Sequence, residues 1–326
     1  MTTAQIIQVA APGGAETLAF TDSTLPALKE NEVRVRHNAI GLNFIDVYHR
    51  TGLYPVPAPF TPGLEAAGVI EDVSAGVDGF VAGDRVAYCT GPIGAYSSHR
   101  NMPTDTLVKL PDAVSDEAAA ALMLKATTVA FLIHETFHVK HGQTVLWHAA
   151  AGGVGLIACQ WLKAKGVTVI GTVGGADKAA LARDHGCTHT IDYTSENFTD
   201  RVREITGGAG VPVVYDSVGK ATFDGSLDCL APRGMMVSFG NATGAVDPMA
   251  PGILGQKGSL FLTRPSLLHY ASARDDLVRL TGLVFDAVAD GHITPTINQR
   301  FALRDAGTAH RALEGRETTG QSILLP

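Results

Sequence analysis

The sequence predicts an α/β protein with two domains: a β-rich first domain and a second domain built on a doubly wound parallel sheet. Short β-branched segments broken by Gly and Pro, such as NEVRVRHNAIGLN, AAGVIEDVSAGV and GDRVAYC, fill the chain up to about Pro111. From about Ser115 onward, apolar strand segments alternate with amphipathic helical segments. This alternation is typical of right-handed βαβ units arranged around a parallel sheet.

A helical segment, SDEAAAALMLKATTVAFLIHETFH, opens the second region, with Ser115 as its predicted N-cap. The strands predicted after it are TVLWHA, VTVIGTV, THTIDY, VPVVYDSVG and GMMVSFG. The helices predicted between them are GVGLIACQWLKAKG, ADKAALARDHG, SENFTDRVREITGG and KATFDGSLDCLA, the first two closed by Gly166 and Gly186.

Beyond SLFLTRP, one long amphipathic helix, ASARDDLVRLTGLVFDAVADG, leads to a strand-like tail that ends in GQSILLP. The parallel sheet is already complete at that point, so we expect the tail to return to the first domain. The predicted limits are 1–125 for the first domain, completed by about 266–326, and 126–265 for the second domain.

Composition narrows the class of protein. The chain has 326 residues, of which 45% are hydrophobic and 17% charged, as in globular enzymes. A formal net charge of -7 and the lack of a basic run argue against a nucleic-acid or anionic-membrane partner. No signal peptide or membrane-spanning apolar run is expected, and the four cysteines are scattered without a C-x-x-C. These observations favour a cytoplasmic protein with reduced thiols.

A glycine-rich turn follows the first strand of the parallel sheet, in the segment AAAGGVG. The small residues Gly152, Gly153, Val154 and Gly155 would let a pyrophosphate approach the N-terminus of the next helix, where backbone N–H groups and the helix dipole attract negative charge. The strand before the turn and the helix after it are the context that a dinucleotide site requires.

The end of the second strand indicates which dinucleotide is bound. NAD sites usually carry an acid there, whereas this chain continues with VGGADK. Gly174 leaves space, Lys178 supplies a cation on the following helix, and Tyr193 comes just after the third strand. This combination fits the additional phosphate of NADPH. Asp177 lies close enough to keep NAD open as an alternative.

The segment His134–His138 matches the H-E-x-x-H pattern of zinc metalloproteases. Such a site needs a third ligand, but His141 stands where a metzincin has glycine, and Thr144 where it has histidine. No glutamate follows from Val139 to Ser195. We therefore predict a surface helix that carries two histidines, and no metal site.

Several segments together resemble the zinc-independent quinone oxidoreductases, the zeta-crystallin-like branch of the medium-chain dehydrogenase/reductase superfamily. They are AIGLNFIDVYHRTGLYPVPAPFTPGLEAAGVI, GDRVAY, HAAAGGVGLIACQWLKAKG, VVYDSVG, MVSFGN and TRPSL. The resemblance implies a GroES-like first domain, a Rossmann cofactor domain, an active site in the cleft between them, and a homodimer. Asn43 and Leu64 occupy positions where the zinc-dependent branch has a cysteine and a histidine ligand, which makes metal-assisted alcohol oxidation a poor expectation.

The resemblance also implies two groups of site residues. On the nicotinamide side of the cofactor we expect Ser217, Phe239, Gly240 and Asn241, with Thr128 and Arg264 as further contacts. On the substrate side we expect Asn43, Asp46, Tyr48 and Tyr54, with Asp46 in a structural more than a catalytic role.

The predicted activity is reduction of quinones by NADPH. Two alternatives stay open: an NADPH-dependent enoyl or alkenal reductase on the same fold, and an NADPH-binding protein with a structural or RNA-binding role. A carbon–carbon double bond needs a proton delivered to carbon, so a tyrosine acid would matter only to the reductase of alkenes.

Overall fold

The computed structural model describes residues 2–326, which form two compact units. The first unit contains the residues up to Thr127, together with Tyr270–Ala289 and Pro295–Pro326. The second unit contains Thr128–His269 and Asp290–Thr294. The last of these segments falls within the range that the sequence predicts for the first domain.

The strands and helices are numbered in chain order. The strands are β1 (Thr3–Val9), β2 (Leu18–Thr24), β3 (Glu32–Gly41), β4 (Ala66–Val73), β5 (Arg85–Tyr88), β6 (His99–Pro103), β7 (Val108–Lys109), β8 (Thr144–Trp147), β9 (Thr168–Val173), β10 (His189–Asp192), β11 (Val211–Asp216), β12 (Leu230–Ser238), β13 (Phe261–Thr263), β14 (Ile297–Ala302) and β15 (Gln321–Leu325). The α-helices are α1 (Phe44–Thr51), α2 (Asp116–Phe131), α3 (Gly153–Ala164), α4 (Ala176–Asp184), α5 (Phe198–Ile205), α6 (Phe223–Asp228), α7 (Gly252–Gln256), α8 (Leu267–Tyr270), α9 (Arg274–Ala289) and α10 (Ala306–Glu314).

The first unit is built on a sheet in the order β14-β15-β3-β4-β5-β7, with β6 paired to β3. The C-terminal strand β15 runs antiparallel to β3, with Leu324 opposite Ile40. Both side chains lie fully buried in one apolar cluster with Met102 and Leu107. The end of the chain thus supplies part of the core on which the N-terminal strands fold.

The second unit contains a six-stranded sheet in the order β10-β9-β8-β11-β12-β13, and every pairing is parallel. The strand order reverses between β8 and β11, so loops leave these two strands in opposite directions at the carboxyl edge. In open parallel sheets, ligands bind at this switch point. The predicted α/β class, with a Rossmann-type sheet and a second β-rich unit, is confirmed.

Helix α2 begins as predicted but ends earlier. The N–H of Ala118 donates to Ser115 Oγ at 3.2 Å. After Phe131 the chain forms a π-helical turn over Leu132–Thr136, and Phe137 is already extended, with φ -136° and ψ 110°. The predicted helix, which continues through His138, is therefore too long. The α-helix gives way to the wider π-helical turn after Phe131, and helical structure ends at Thr136.

One helical segment, Asp116–Thr136, is long and apolar enough to cross a membrane by length and composition, and most of it is buried inside the protein. This corrects the sequence-based expectation that no such segment exists. A core helix passes the same test as a membrane span, so the finding is weak evidence for a membrane.

A buried polar chain connects α1 to α10 in the first unit. The Tyr96 hydroxyl donates to Asp46 Oδ2 at 3.0 Å and lies 3.0 Å from His310 Nε2. Arg50, only 1% exposed, lies 3.4 Å from His310 Nδ1 and forms a two-pronged ion pair with Glu314 at 2.9 and 2.7 Å. Burial raises the pKa of Asp46 to about 7, although its hydrogen bonds favour the charged form.

We predict that Asp46→Asn changes the pH dependence of stability. The folded protein binds the Asp46 proton more tightly than the unfolded chain between the ordinary pKa of 3.8 and about 7. The wild-type free energy of unfolding therefore falls as pH rises through this window, and the variant lacks this loss. Denaturant unfolding from about pH 4 to about pH 8 should find Asp46→Asn gaining stability relative to wild type as pH rises.

Asp84→Asn is the matched control of opposite sign. The side-chain hydrogen bond from Lys109 lowers the pKa of Asp84, so wild type gains stability as pH rises through the acidic range. The control should therefore lose stability relative to wild type with rising pH near and below about pH 4. A flat difference for Asp46→Asn across the neutral range would contradict the assignment.

Candidate active site

The carboxyl edge of the parallel sheet carries the N-terminus of helix α3, which begins in the glycine-rich turn. Helix α3 starts at Gly153 with Gly152 as its N-cap; no side chain among the described residues caps it, and its first turn carries no acid. The positive end of the helix dipole therefore has no acidic side chain in the first turn beside it. This end of α3 can receive a pyrophosphate.

Close backbone packing at the start of α3 excludes a side chain at Gly155. A Cβ atom on Gly155 would lie 2.3 Å from the carbonyl oxygen of Ala149. Ala149 itself has φ 55°, a left-handed conformation that costs an alanine of order 1–2 kcal/mol. Gly152, Gly153 and Val154 are half-buried at the surface of the turn. The start of helix α3 thus packs closely against the end of strand β8. This close packing is typical of dinucleotide-binding turns.

The structure brings Gly174 and Tyr193 together beside the start of α4. A Cβ on Gly174 would lie 2.6 Å from the Tyr193 hydroxyl, and Lys178 is half-buried on α4. Sequence reasoning missed Asp192 here: its Oδ1 accepts the N–H of Gly175 at 3.0 Å. The signal for it was an acid at the end of the third strand, one strand beyond the position where NAD sites carry theirs.

Helix α4 carries a second cation, Arg183, whose side chain bonds to the neighbouring strand β10. Its Nη1 donates to the Thr190 hydroxyl on β10 at 2.7 Å. Lys178 lies half-buried on the same helix, and a lysine at this position can supply the charge that an additional phosphate requires.

Four of the residues expected on the nicotinamide side meet around the ends of β11 and β12. A Cβ on Gly240 would lie 2.3 Å from the backbone oxygen of Ser217, and Arg264 donates to the Gly240 carbonyl at 3.2 Å. The ring of Phe239 lies 5.7 Å from that of Trp147.

Of the other two expected contacts, Asn241 lies in the same loop as Gly240, whereas Thr128 lies on α2. The Asn241 carbonyl closes the same loop by accepting the N–H of Gly244 at 2.9 Å. Thr128 lies half-buried on α2, and none of the hydrogen bonds found among residues 2–326 joins it to these loops.

The expected substrate-side residues lie on and next to α1 in the first unit. The backbone N–H of Asn43 donates to Asp46 Oδ2 at 2.9 Å, which fixes the start of the helix. The rings of Tyr48 and Tyr54 meet edge to face with centroids 5.1 Å apart, and the Tyr54 N–H donates to the Tyr48 carbonyl at 3.0 Å. Tyr48 is buried and Tyr54 half-buried, so Tyr54 is the more accessible of the two hydroxyl-bearing rings.

A buried ion pair, which sequence reasoning missed, holds Asn43. Glu65 is fully buried, and its Oε2 accepts from Lys125 Nζ at 3.0 Å and from Asn43 Nδ2 at 2.9 Å. Its Oε1 accepts the Leu124 N–H at 2.6 Å. The available signal was Lys125 itself, a lone charge within the apolar run ALMLKATTVAF, because such a charge requires a buried partner.

The two histidines of the H-E-x-x-H segment do not share one helical face. His134 packs against Trp161 with centroids 5.6 Å apart, and burial lowers its pKa to about 4. His138 lies beyond the π-helical turn, and its Nδ1 is 3.1 Å from the His134 carbonyl. Among residues 2–326, no three His, Cys, Asp or Glu side chains converge in a way that could hold a metal ion.

The chain is similar to known oxidoreductases over nearly its full length. Residues 153–290 match the family model described as zinc-binding dehydrogenase, and residues 29–112 match the alcohol dehydrogenase GroES-like domain. A quinone oxidoreductase of Pseudomonas aeruginosa is 53% identical over 99% of this chain and 100% of its own length. A 2-haloacrylate reductase of a Burkholderia species is 46% identical, with 96% of each chain covered.

A solved structure agrees with these relatives. The Escherichia coli quinone oxidoreductase complexed with NADPH superposes with a TM-score of 0.97 at 48% identity, covering 99% of this chain and 100% of the other. Full-length similarity at this identity, on a fold with the same two units, shows the family that the sequence motifs indicate. The chain belongs to the zinc-independent quinone oxidoreductases of the medium-chain dehydrogenase/reductase superfamily.

Proposed function

We propose that this chain reduces quinones with NADPH. The observation that carries the proposal is the glycine-rich N-terminus of α3 at the switch point, where the first turn carries no acid and a side chain on Gly155 would collide with the Ala149 carbonyl. Relatives named as quinone oxidoreductases, and a related structure with NADPH, support the same activity.

Each region of the carboxyl edge takes one part of the cofactor. Gly152, Gly153, Val154 and Gly155 form the pyrophosphate site: Gly152 closes the turn by donating its N–H to the Ala149 carbonyl at 3.0 Å, and the backbone of the other three faces the pyrophosphate at the helix N-terminus. Around the adenosine phosphate, Lys178 supplies charge, Tyr193 a hydroxyl and Gly174 the space for both. The remaining contacts lie on the nicotinamide side: Ser217, Phe239, Gly240, Asn241, Arg264 and Thr128.

When bound, the cofactor supplies a hydride, and the residues of the chain orient the acceptor and exclude water. Tyr48 and Tyr54 offer ring faces for stacking and hydroxyls for a quinone oxygen. Asn43 is held by Glu65 and directs its amide from a fixed position. The reduced quinone is a weakly basic phenolate, so water can protonate it and no dedicated acid is needed.

A second candidate activity is reduction of an activated carbon–carbon double bond. It is favoured by the relative named 2-haloacrylate reductase, which is 46% identical over 96% of this chain. Protonation of carbon requires an acid, and Tyr54 is the candidate because its ring is half-buried beside Tyr48.

We further propose a cytoplasmic homodimer without a membrane or nucleic-acid partner. The four cysteines are free and buried, which suits a reducing compartment. Strand β13 is an edge strand with Phe261 58% and Leu262 39% exposed. An apolar sheet edge favours pairing, and two-fold pairing of β13 with its copy would continue the sheet.

The first test follows oxidation of NADPH, and separately NADH, by an ortho-quinone in the presence of EDTA. We expect fast oxidation of NADPH that EDTA does not change. Lys178→Ala should raise the KM for NADPH about tenfold and leave that for NADH unchanged, because it removes a phosphate contact. Lys163→Ala, an exposed lysine of α3, is the matched control. Loss of activity with EDTA, or equal effects on both cofactors, would contradict these assignments.

The two candidate reactions respond differently to Tyr54→Phe. The variant keeps the ring but loses the hydroxyl, so reduction of a 2-haloacrylate or alkenal should fall by about 10²-fold while quinone reduction is retained. Parallel steady-state assays with both acceptors check this. An equal loss with both would mean that the hydroxyl binds the acceptor and does not protonate it.

The dimer is tested by Phe261→Lys, which places a charge on the exposed edge of β13. We expect a shift from dimer to monomer in analytical ultracentrifugation, since a charge opposes edge pairing. Phe20→Lys, at a phenylalanine 39% exposed on β2, is the control and should leave the mass unchanged. A wild-type protein that sediments as a monomer would refute the dimer.

A further inference from the structure

A chain of buried side chains runs beneath the carboxyl edge of the parallel sheet. His148, the residue after β8, has its Nδ1 2.9 Å from Thr172 Oγ1 and its Nε2 2.9 Å from Ser226 Oγ. The Ser226 hydroxyl in turn donates to Asp216 Oδ2 at 2.9 Å. None of the four residues is more than 2% exposed. They come from strand β9, the turn after β8, helix α6 and strand β11.

The directions of these hydrogen bonds are fixed by the carboxylate at one end. Because Ser226 gives its hydrogen to Asp216, its oxygen must accept from His148 Nε2–H. His148 Nδ1 is then unprotonated and accepts from the Thr172 hydroxyl. Burial lowers the pKa of His148, which favours this neutral form. Phe198 closes one face of the imidazole, with ring centroids 5.0 Å apart.

Each end of the chain holds a loop of the carboxyl edge. At one end, Thr172 Oγ1 lies 3.4 Å from the N–H of Ala149, and the Thr172 carbonyl accepts the Ala150 N–H at 3.0 Å. At the other end, Asp216 Oδ1 accepts the N–H groups of Val218 at 2.8 Å and Gly219 at 3.0 Å. The first loop leads into the glycine turn before α3, and the second contains Ser217.

The trio of serine, histidine and aspartate is not a hydrolase site. In a serine hydrolase the histidine lies between the other two and accepts the serine proton. Here Ser226 lies between His148 and Asp216, and it is fully buried. The serine hydroxyl is committed to the carboxylate and meets no solvent.

We propose that His148 is a positioning residue that couples the pyrophosphate turn to the nicotinamide-side loop. Thr172, Ser226 and Asp216 are its links, and all four residues are buried beneath the loops that they hold. The coupling fixes the spacing between the two loops, and with it the placement of the nicotinamide relative to the phosphates. This inference rests on the proposed placement of NADPH at these loops.

The test compares Thr172→Val, Ser226→Ala and the double variant. Each single variant removes one hydrogen-bond partner of His148, and the double variant removes both. Dissociation constants for NADPH are measured by fluorescence titration, and kcat and quinone KM by steady-state assay. Each single variant should weaken NADPH binding about tenfold, the loss of one buried hydrogen bond, with quinone KM unchanged. The double variant should raise the dissociation constant for NADPH by much less than the product of the two single effects. Either substitution alone already breaks the hydrogen-bonded connection between the two loops.

Two further variants separate positioning from general loss of structure. Thr281→Val makes the same substitution at a buried threonine whose hydroxyl donates to the Leu277 and Val278 carbonyls of its own helix, and it should leave NADPH binding unchanged. His148→Gln keeps a donor and an acceptor, so it should bind NADPH more tightly than His148→Leu.

Folded single variants that bind NADPH as wild type does, or single effects that multiply in the double variant, would overturn the coupling. Failure of the proposed function gives a different result: the wild-type protein itself would then not bind NADPH, or Lys178→Ala would bind it unchanged.

Discussion

The close approach of helix α3 to strand β8 is the constraint on which the cofactor edge depends. Gly155 permits it, because any side chain there would collide with the Ala149 carbonyl 2.3 Å away. Ala149, in the same turn, has a left-handed backbone conformation with φ 55°. The result is a helix N-terminus at the reversal of strand order whose first turn carries no acid.

The two units hold their buried carboxylates in three different ways. Glu65 is paired with the ammonium of Lys125 and the amide of Asn43. Asp216 has no cation; hydroxyl and backbone donors satisfy it instead. Asp46 has fewer donors, and burial raises its pKa to about 7. The pKa of Asp46 is raised because its hydrogen bonds do not fully offset the free energy lost when the carboxylate is removed from water.

Local pattern was enough to predict the parallel sheet and the glycine turn, because strand and helix periodicity and small residues at one turn are properties of short segments. The end of α2 was misjudged for the same reason: apolar spacing continues through Phe137, but the π-helical turn depends on packing that spacing does not encode. The Glu65–Lys125 pair and the His148 chain join residues far apart in sequence. No short segment around any of these residues carries a pattern that indicates its partner, so the clusters become visible only in the folded structure.

The ion pair of Glu65 and Lys125 also limits how this sequence can change over time. Replacing either residue alone leaves the other charge buried without a partner, which typically costs about 3–5 kcal/mol. Replacing both by apolar residues of similar volume can be nearly neutral. The sequence with the charged pair and the sequence with an apolar pair are thus separated by single-substitution intermediates that are less stable than either. A lineage that acquired this pair would tend to keep it through that epistatic barrier, whatever the pair contributes to the reaction.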